Sequence, residues 1–194
     1  MTEKLTIEQY RAATGQQANL PGIKHVSHSN RGKEFEELIE RTNHYYSLRK
    51  IAFIKKNPVV WRYVNKSQFD TFRDSTADFV AKTNRGLYLK KFKSDVDFSG
   101  VISPNGRAIS FDAKEIKGKS LHLGNIESHQ IETLRQAEEA GAISGLMIMF
   151  SDLQRVFFVP ASVVEKVHLE MLYSKGAKSL SLSLCESDGR EISI

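Results

Sequence analysis

The sequence predicts an α/β fold in which one mixed sheet lies between helices. Three observations predict it: a helix-period stripe from Phe35 to Tyr46, two extended segments joined by Ser103-Pro104-Asn105-Gly106, and a helix–strand–strand–helix run that begins near Ser128. With 194 residues, 40% of them hydrophobic and 26% charged, the chain can bury a real core, which excludes disorder as its main state. No apolar run approaches the ~20 residues needed to cross a bilayer. The longest, Gly145 to Phe150, has the length of a buried strand. The opening MTEKLTIEQYR has no apolar stretch of a secretory signal, so the expected location is cytoplasmic and no membrane partner is expected. A single cysteine, Cys185, excludes an intramolecular disulfide framework and a Cys-rich zinc site.

Residues 1–29 read as a partly mobile arm. Thr6-Ile7-Glu8-Gln9 is a capping-box pattern for a short helix that Gly15 would end, and the polar stretch from Gln16 to Ser29 is broken by Pro21 and Gly22. The first long helix is expected from Asn30, with Phe35, Leu38, Ile39, Tyr45 and Tyr46 on one face. Glu36 falls on the shoulder of that stripe, at about 100° per residue, where it can reach inward past a packed edge. Ile51-Ala52-Phe53-Ile54 is a short strand ending in Lys55-Lys56-Asn57-Pro58. Val59 to Lys93 reads less regularly. Val59-Val60-Trp61 and Gly86-Leu87-Tyr88-Leu89 look extended, and Ser67 to Ala81 is compatible with a helix.

The segments Asp97 to Ile102 and Arg107 to Lys114 then flank the Asn-Gly turn as a hairpin. A helix from Ser128 carries Ile131, Leu134 and Ala137 on one face and stops at Gly141. Two more strands, Gly145 to Phe150 and Arg155 to Val159, precede a helix from Ala161. The alternation of Leu180, Leu182 and Leu184 with serines predicts an amphipathic strand from Ser179 to Cys185.

The formal charge, 28 Lys and Arg against 23 Asp and Glu for a net +5, argues only weakly for a nucleic-acid partner. Its distribution argues more strongly. Between Arg49 and Lys66 stand Arg49, Lys50, Lys55, Lys56, Arg62 and Lys66 with no acidic residue, and a second group, Lys82, Arg85, Lys90, Lys91 and Lys93, follows. Phe53, Trp61, Tyr63, Phe69, Phe72, Phe79, Tyr88 and Phe92 are interleaved with them. A phosphate-tracking surface and a solvated basic face over a few core aromatics are both compatible with this pattern.

The residues that point to chemistry lie between Asp95 and Gln130. Period-2 geometry puts Ile109, Phe111 and Ala113 on one face of their strand and Ser110, Asp112 and Lys114 on the other, away from the apolar layer. Asp97 sits across the hairpin. Phosphodiester hydrolysis needs a deprotonated water and relief of charge on the phosphoryl oxygens. Asp97 and Asp112 are hard oxygen ligands suited to Mg²⁺, and Lys114 can orient the attacking water or neutralise the transition state. An Asp-x-Lys triplet alone is common on strand edges. The preceding Asp, the hairpin, Glu36 and the basic stretches together give it weight. The competing register, Glu115-x-Lys117, would put Glu115 on the Phe111 face.

Several motifs in this order resemble the RecU family of Holliday-junction resolvases, within the PD-(D/E)xK nuclease superfamily. They are Ser29-Asn30-Arg31-Gly32 leading to Glu36, then Thr42-Asn43 with Tyr45-Tyr46, and Ile51 to Pro58. Asp97-Phe98-Ser99-Gly100, Phe111-Asp112-Ala113-Lys114-Glu115 with Lys117, and His129-Gln130 follow, so the resemblance spans Ser29 to Val167. It implies a restriction-endonuclease-like core over residues 30–194, with a protruding stalk over 57–93 that enters the junction centre. It implies a homodimer with Mg²⁺ (Mn²⁺ as a substitute) at two sites, cutting opposed strands of a four-way junction. Residue by residue, it implies Asp95, Asp97, Asp112 and Gln130 as metal ligands and Lys114 as transition-state stabiliser; Glu36 is expected beside them as a catalytic carboxylate of the second sphere or of a second metal. Arg31, Lys55, Lys56, Arg62, Lys66, Lys82, Arg85, Lys90, Lys91, Lys93, Lys117 and Lys119 are the expected DNA contacts.

Asp95 stands where bacterial members usually carry Thr, and Asp112 where they usually carry Glu. Both keep oxygen ligands, and a divergent, phage-borne member is one reading of the change. Host recombinases and branch-migration proteins are further partners the resemblance admits. Two alternatives stay open: another PD-(D/E)xK nuclease of restriction or repair type, and a non-catalytic junction-binding architectural protein. His129 beside Gln130 reads as a DNA or outer contact. His25, His28, His44, His122 and His168 have no metal-type spacing, and no P-loop or Rossmann glycine motif is present.

Overall fold

A computed structural model describes residues 31–65, 79–82, 88–92, 94–173 and 176–194. The expected arm, most of the Ser67 to Ala81 segment, and Lys66, Arg85 and Lys93 lie outside the described residues. Helix α1 (Arg31–Leu48) is followed by β1 (Ala52–Lys56), β2 (Val60–Val64), β3 (Phe79–Lys82), β4 (Tyr88–Phe92), β5 (Phe98–Ile102), β6 (Arg107–Ile116) and β7 (Ser120–His122). A 3₁₀ turn, Leu123–Asn125, leads to α2 (Ser128–Glu139), β8 (Ile143–Phe150), β9 (Arg155–Pro160) and α3 (Ala161–Tyr173). The chain closes with β10 (Ser179–Ser181), α4 (Leu182–Asp188) and β11 (Arg190–Ile192).

The central sheet has the order β1-β5-β6-β8-β9-β11. Only β6 and β8 run parallel, as the crossover through α2 requires, and the remaining pairs are antiparallel. The sheet is therefore mixed, as the sequence predicts. The hairpin falls where the Asn-Gly turn puts it, with Phe98 opposite Phe111 and Ile102 opposite Arg107, and Gly106 takes φ +66° in the turn.

Both faces of the sheet are covered. On one, Phe35 and Ile39 of α1 bury against Phe98, Ile109, Phe111, Met147 and Val156, with Phe98 and Phe111 stacked at 5.0 Å between centroids. On the other, α2 and α3 bring Ile131, Leu134, Val164 and Val167 onto Leu146, Ile148, Phe157 and Val159. This second layer corrects the expectation that Asp112 points away from apolar packing. Asp112 pairs in register with Leu146 and is 0% exposed, because α2 covers that face as well.

A separate three-stranded sheet, β2-β4-β3, is built within residues 57–93. Phe79–Lys82 is a strand in it, paired to β4, so no helix runs through to Ala81. The tail is the other correction. Only Ser179–Ser181 is extended, pairing with β7, and Leu182–Asp188 is helical. The Ser181 hydroxyl accepts the Leu184 backbone N–H at 3.2 Å, which caps a helix at the point where the Leu-Ser alternation reads as strand. Among the described residues, no helix is long and apolar enough to cross a membrane.

Candidate active site

The site forms where the β5–β6 ladder runs out. The last cross-strand pair is Phe98 with Phe111, so one step further Asp97 comes opposite Asp112. Asp97 precedes β5 in a bend and has no strand geometry of its own. Its carboxylate supplies the missing ladder contact instead: Oδ2 accepts the Ala113 N–H at 2.9 Å. From the β1 side, the Asn57 N–H reaches the Asp97 carbonyl at 2.7 Å.

Asp112 and Lys114 share a face of β6, as period-2 spacing predicts. The Lys114 ammonium lies 2.5 Å from Asp112 Oδ2 and 3.5 Å from Gln130 Oε1. Gln130 closes the triangle by donating from Nε2 to Asp112 Oδ1 at 2.8 Å. Its Oε1 also accepts the Glu127 N–H at 3.2 Å, while the Glu127 side chain takes the Gln130 backbone N–H, a reciprocal cap on α2. Gln130 is thus a helix-start residue and a site residue at once. Sequence reasoning misses Glu127, although Glu127-Ser128-His129-Gln130 has the four-residue spacing of such a cap.

The electrostatics centre on Asp112. Burial disfavours its charged form most. The Lys114 ammonium opposes that effect, the Asp97 carboxylate adds to it, and the net result holds the Asp112 carboxyl up at about 7. Asp112 Oδ2 is fully buried, and its close partner is the Lys114 ammonium, as an ion pair. A buried carboxylate oxygen is costly unless a cation meets it, and here the Lys114 ammonium does so.

Among the described residues no three Asp, Glu, His or Cys side chains converge to hold a metal ion. A hard divalent cation can nonetheless rest on two carboxylates and retain waters for its remaining positions. The oxygens of Asp97, Asp112 and the Gln130 amide are hard donors of the kind such a cation takes, with Asp112 Oδ2 met by the Lys114 ammonium and Gln130 Oε1 by the Glu127 N–H.

The structure brings together Asp97, Asp112, Lys114 and Gln130. It does not bring Asp95 or Glu36 into that set. The Asp95 side chain is exposed, and the Glu36 carboxylate is held by Lys56 Nζ at 2.7 Å, with Glu40 on the same ammonium at 3.2 Å. Lys56, expected as a DNA contact, therefore ties β1 to α1, and the two acids hold its pKa above the ordinary lysine value despite partial burial. Lys55 is exposed and lies over the Phe53 ring at 4.9 Å. Arg62, Lys117 and Lys119 are exposed, and the register sets Arg62 opposite Lys90 and Trp61 opposite Lys91. Lys82 is in β3, and Arg31 opens α1. His129 Nδ1 sits 3.3 Å from Glu127 rather than in the carboxylate pair, and His122 Nδ1 accepts the Gly124 N–H.

The class that the fold and the site define is a mixed-sheet α/β protein with a carboxylate pair, one member fully buried, a lysine and an amide at one ladder end. A family model described as RecU, Recombination protein U, matches residues 30–194. A protein named Holliday junction resolvase RecU from Streptococcus mutans is 33% identical over 174 residues, covering 88% of this chain and 80% of the relative. Those of the same name from Streptococcus sanguinis and Oenococcus oeni are each 31% identical, over 89% and 87% of this chain and 79% and 80% of theirs. The chain belongs to the RecU family.

Proposed function

We propose that this protein is a Mg²⁺-dependent endonuclease of the PD-(D/E)xK type that resolves four-way DNA junctions by paired, symmetric nicks. The observation that carries the reading is the meeting of Asp97, Asp112, Lys114 and Gln130 at one end of the β5–β6 ladder. The names of its relatives supply the substrate class.

When bound, a divalent cation offsets the negative charge of the phosphodiester and supplies a more acidic water. Asp97 and Asp112 hold it. Gln130, fixed by its place in the α2 cap, aims the Asp112 carboxylate through Nε2. Lys114, 21% exposed beside the fully buried Asp112, is the cationic side chain that opposes charge growing on the phosphoryl oxygens. Two symmetric cuts are met by a two-fold homodimer, one site for each strand. The β2-β4-β3 sheet, within the basic and aromatic stretch 57–93, is the element we assign to the junction centre.

The test compares a four-way junction with linear duplex of the same sequence across a magnesium titration. Cleavage confined to the junction and dependent on the metal is expected. Asp97→Ala should abolish cutting and leave junction binding in chelator intact. Lys114→Ala should lower turnover by about 10²- to 10³-fold, the scale for loss of one transition-state donor. Equal cutting of duplex would favour a restriction- or repair-type nuclease, and no cutting at any metal concentration would favour an architectural role.

A further inference from the structure

Asp97 is the site residue least supported by regular structure, because it lies in the bend between the inserted sheet and β5. What holds that bend is Asn57. Its backbone N–H donates to the Asp97 carbonyl at 2.7 Å and its Nδ2 to the Val96 carbonyl at 3.0 Å. Its Oδ1 accepts the Ser99 hydroxyl at 2.7 Å. The Val96 carbonyl also takes the Ser94 hydroxyl at 2.7 Å. One side chain therefore reaches both sides of Asp97, with the residue before it bound at one end of the amide and the second residue after it bound at the other.

Sequence context explains why the task falls to a side chain. Lys56 pairs with Phe98 as the last rung between β1 and β5, and Pro58 has no N–H with which to continue. Backbone pairing stops at Asn57, one residue short of Val96 and its carbonyl. An amide carries its donor and its acceptor on two separate atoms, where an ionised aspartate offers acceptors alone and a serine a single oxygen that cannot span from Val96 to Ser99 in the same way. Asn57 is also the last residue before the chain leaves for the three-stranded sheet, and Ser94 to Asp97 is where it returns.

We propose that Asn57 is a positioning residue for Asp97: its side-chain amide splints the returning segment so that the Asp97 carboxylate is fixed for the cation. The inference rests on the reading of Asp97 as a metal ligand. Outer partners of metal ligands typically govern affinity by about 10- to 100-fold, and that is the shift expected of Asn57→Ala.

The experiment measures Mn²⁺ binding to the whole chain by calorimetry, with junction affinity in chelator and thermal midpoint as companions. It uses the unsubstituted chain, Asn57→Ala, Ser99→Ala and Asp97→Ala. Expected are severe loss of Mn²⁺ binding in Asp97→Ala, weakening of that size in Asn57→Ala with unchanged junction affinity, and cleavage by Asn57→Ala regained as Mn²⁺ is raised. Ser99→Ala, which frees only one end of the amide, should shift Mn²⁺ affinity less and in the same direction, and it carries the test if Asn57→Ala does not fold. Unchanged Mn²⁺ affinity in Asn57→Ala beside a weakened Asp97→Ala would overturn the splint alone, reducing Asn57 to loop stability. Unchanged affinity in Asp97→Ala would overturn the metal reading and the splint with it.

Discussion

Asp112 concentrates the chemistry of the site in one carboxyl. Its pKa rises from 3.8 to about 7 because burial and the Asp97 carboxylate outweigh Lys114. Between those two values the folded protein holds a proton that the unfolded chain releases, so the stability contributed by Asp112 is full below about pH 3.8 and is lost as pH rises through about 7. In chelator, the thermal midpoint should therefore fall across this window relative to Asp112→Asn, which has no carboxyl to titrate. Parallel curves for the two proteins would remove Asp112 as the source. A divalent cation should reverse the order above pH 7, stabilising the unsubstituted chain and not the variant. Asp95 makes the contrasting case. It is two residues from Asp97 and exposed, so Asp95→Asn should leave Mn²⁺ affinity within a few-fold of the unsubstituted chain, where Asp97→Ala does not.

At the scale of elements, the β5–β6 hairpin is the most legible part of the chain, since alternation and an Asn-Gly turn both survive tertiary packing. Its alternation correctly places Asp112 and Lys114 together. It cannot reveal that α2 closes over that face, because burial of a strand face depends on a helix sixteen or more residues away in sequence. The tail misleads for a different reason. Leu180, Leu182 and Leu184 alternate like a strand, but the Ser181 hydroxyl captures the Leu184 N–H and turns the chain into α4, with Leu182, Leu184 and buried Cys185 on the core. Helical periodicity sets Glu36 on its helix shoulder correctly, and only the fold can show that Lys56 meets it there. Gly100 carries a prediction at this scale. A Cβ on it would lie 2.1 Å from the Phe53 carbonyl oxygen and 2.6 Å from Ile54 Cα, both backbone atoms of β1. Gly100→Ala must therefore push β1 off β5, at about 1–3 kcal/mol by the scale of overpacked sites. Urea unfolding measures it, and a midpoint equal to that of the unsubstituted chain would show that β1 yields freely.

Taken as a whole molecule, the net +5 averages two unlike regions: a carboxylate site on the central sheet and a basic, aromatic insertion that begins at Pro58 and returns at Ser94. The two ends of that insertion meet. Asn57 is hydrogen-bonded to Val96 and Asp97, so the chain leaves and re-enters on neighbouring strands. A short Gly/Ser link replacing residues 59–92 can close that gap at the modest entropic cost of a small loop, without pulling on β1 or β5. The β2-β4-β3 strands pair among themselves in a sheet of their own, so their removal breaks no rung of the six-stranded sheet. The shortened protein should therefore unfold cooperatively and bind Mn²⁺ through Asp97 and Asp112. Its affinity for a four-way junction should drop, and the slope of log affinity against log salt should become shallower, because every phosphate left without its lysine or arginine keeps its counterions. If the slope stays as steep as in the unshortened chain, the phosphate-tracking surface lies on the core, where exposed Lys55, Lys117 and Lys119 remain. Charge reversal at those three lysines in the shortened protein would then have to abolish the slope.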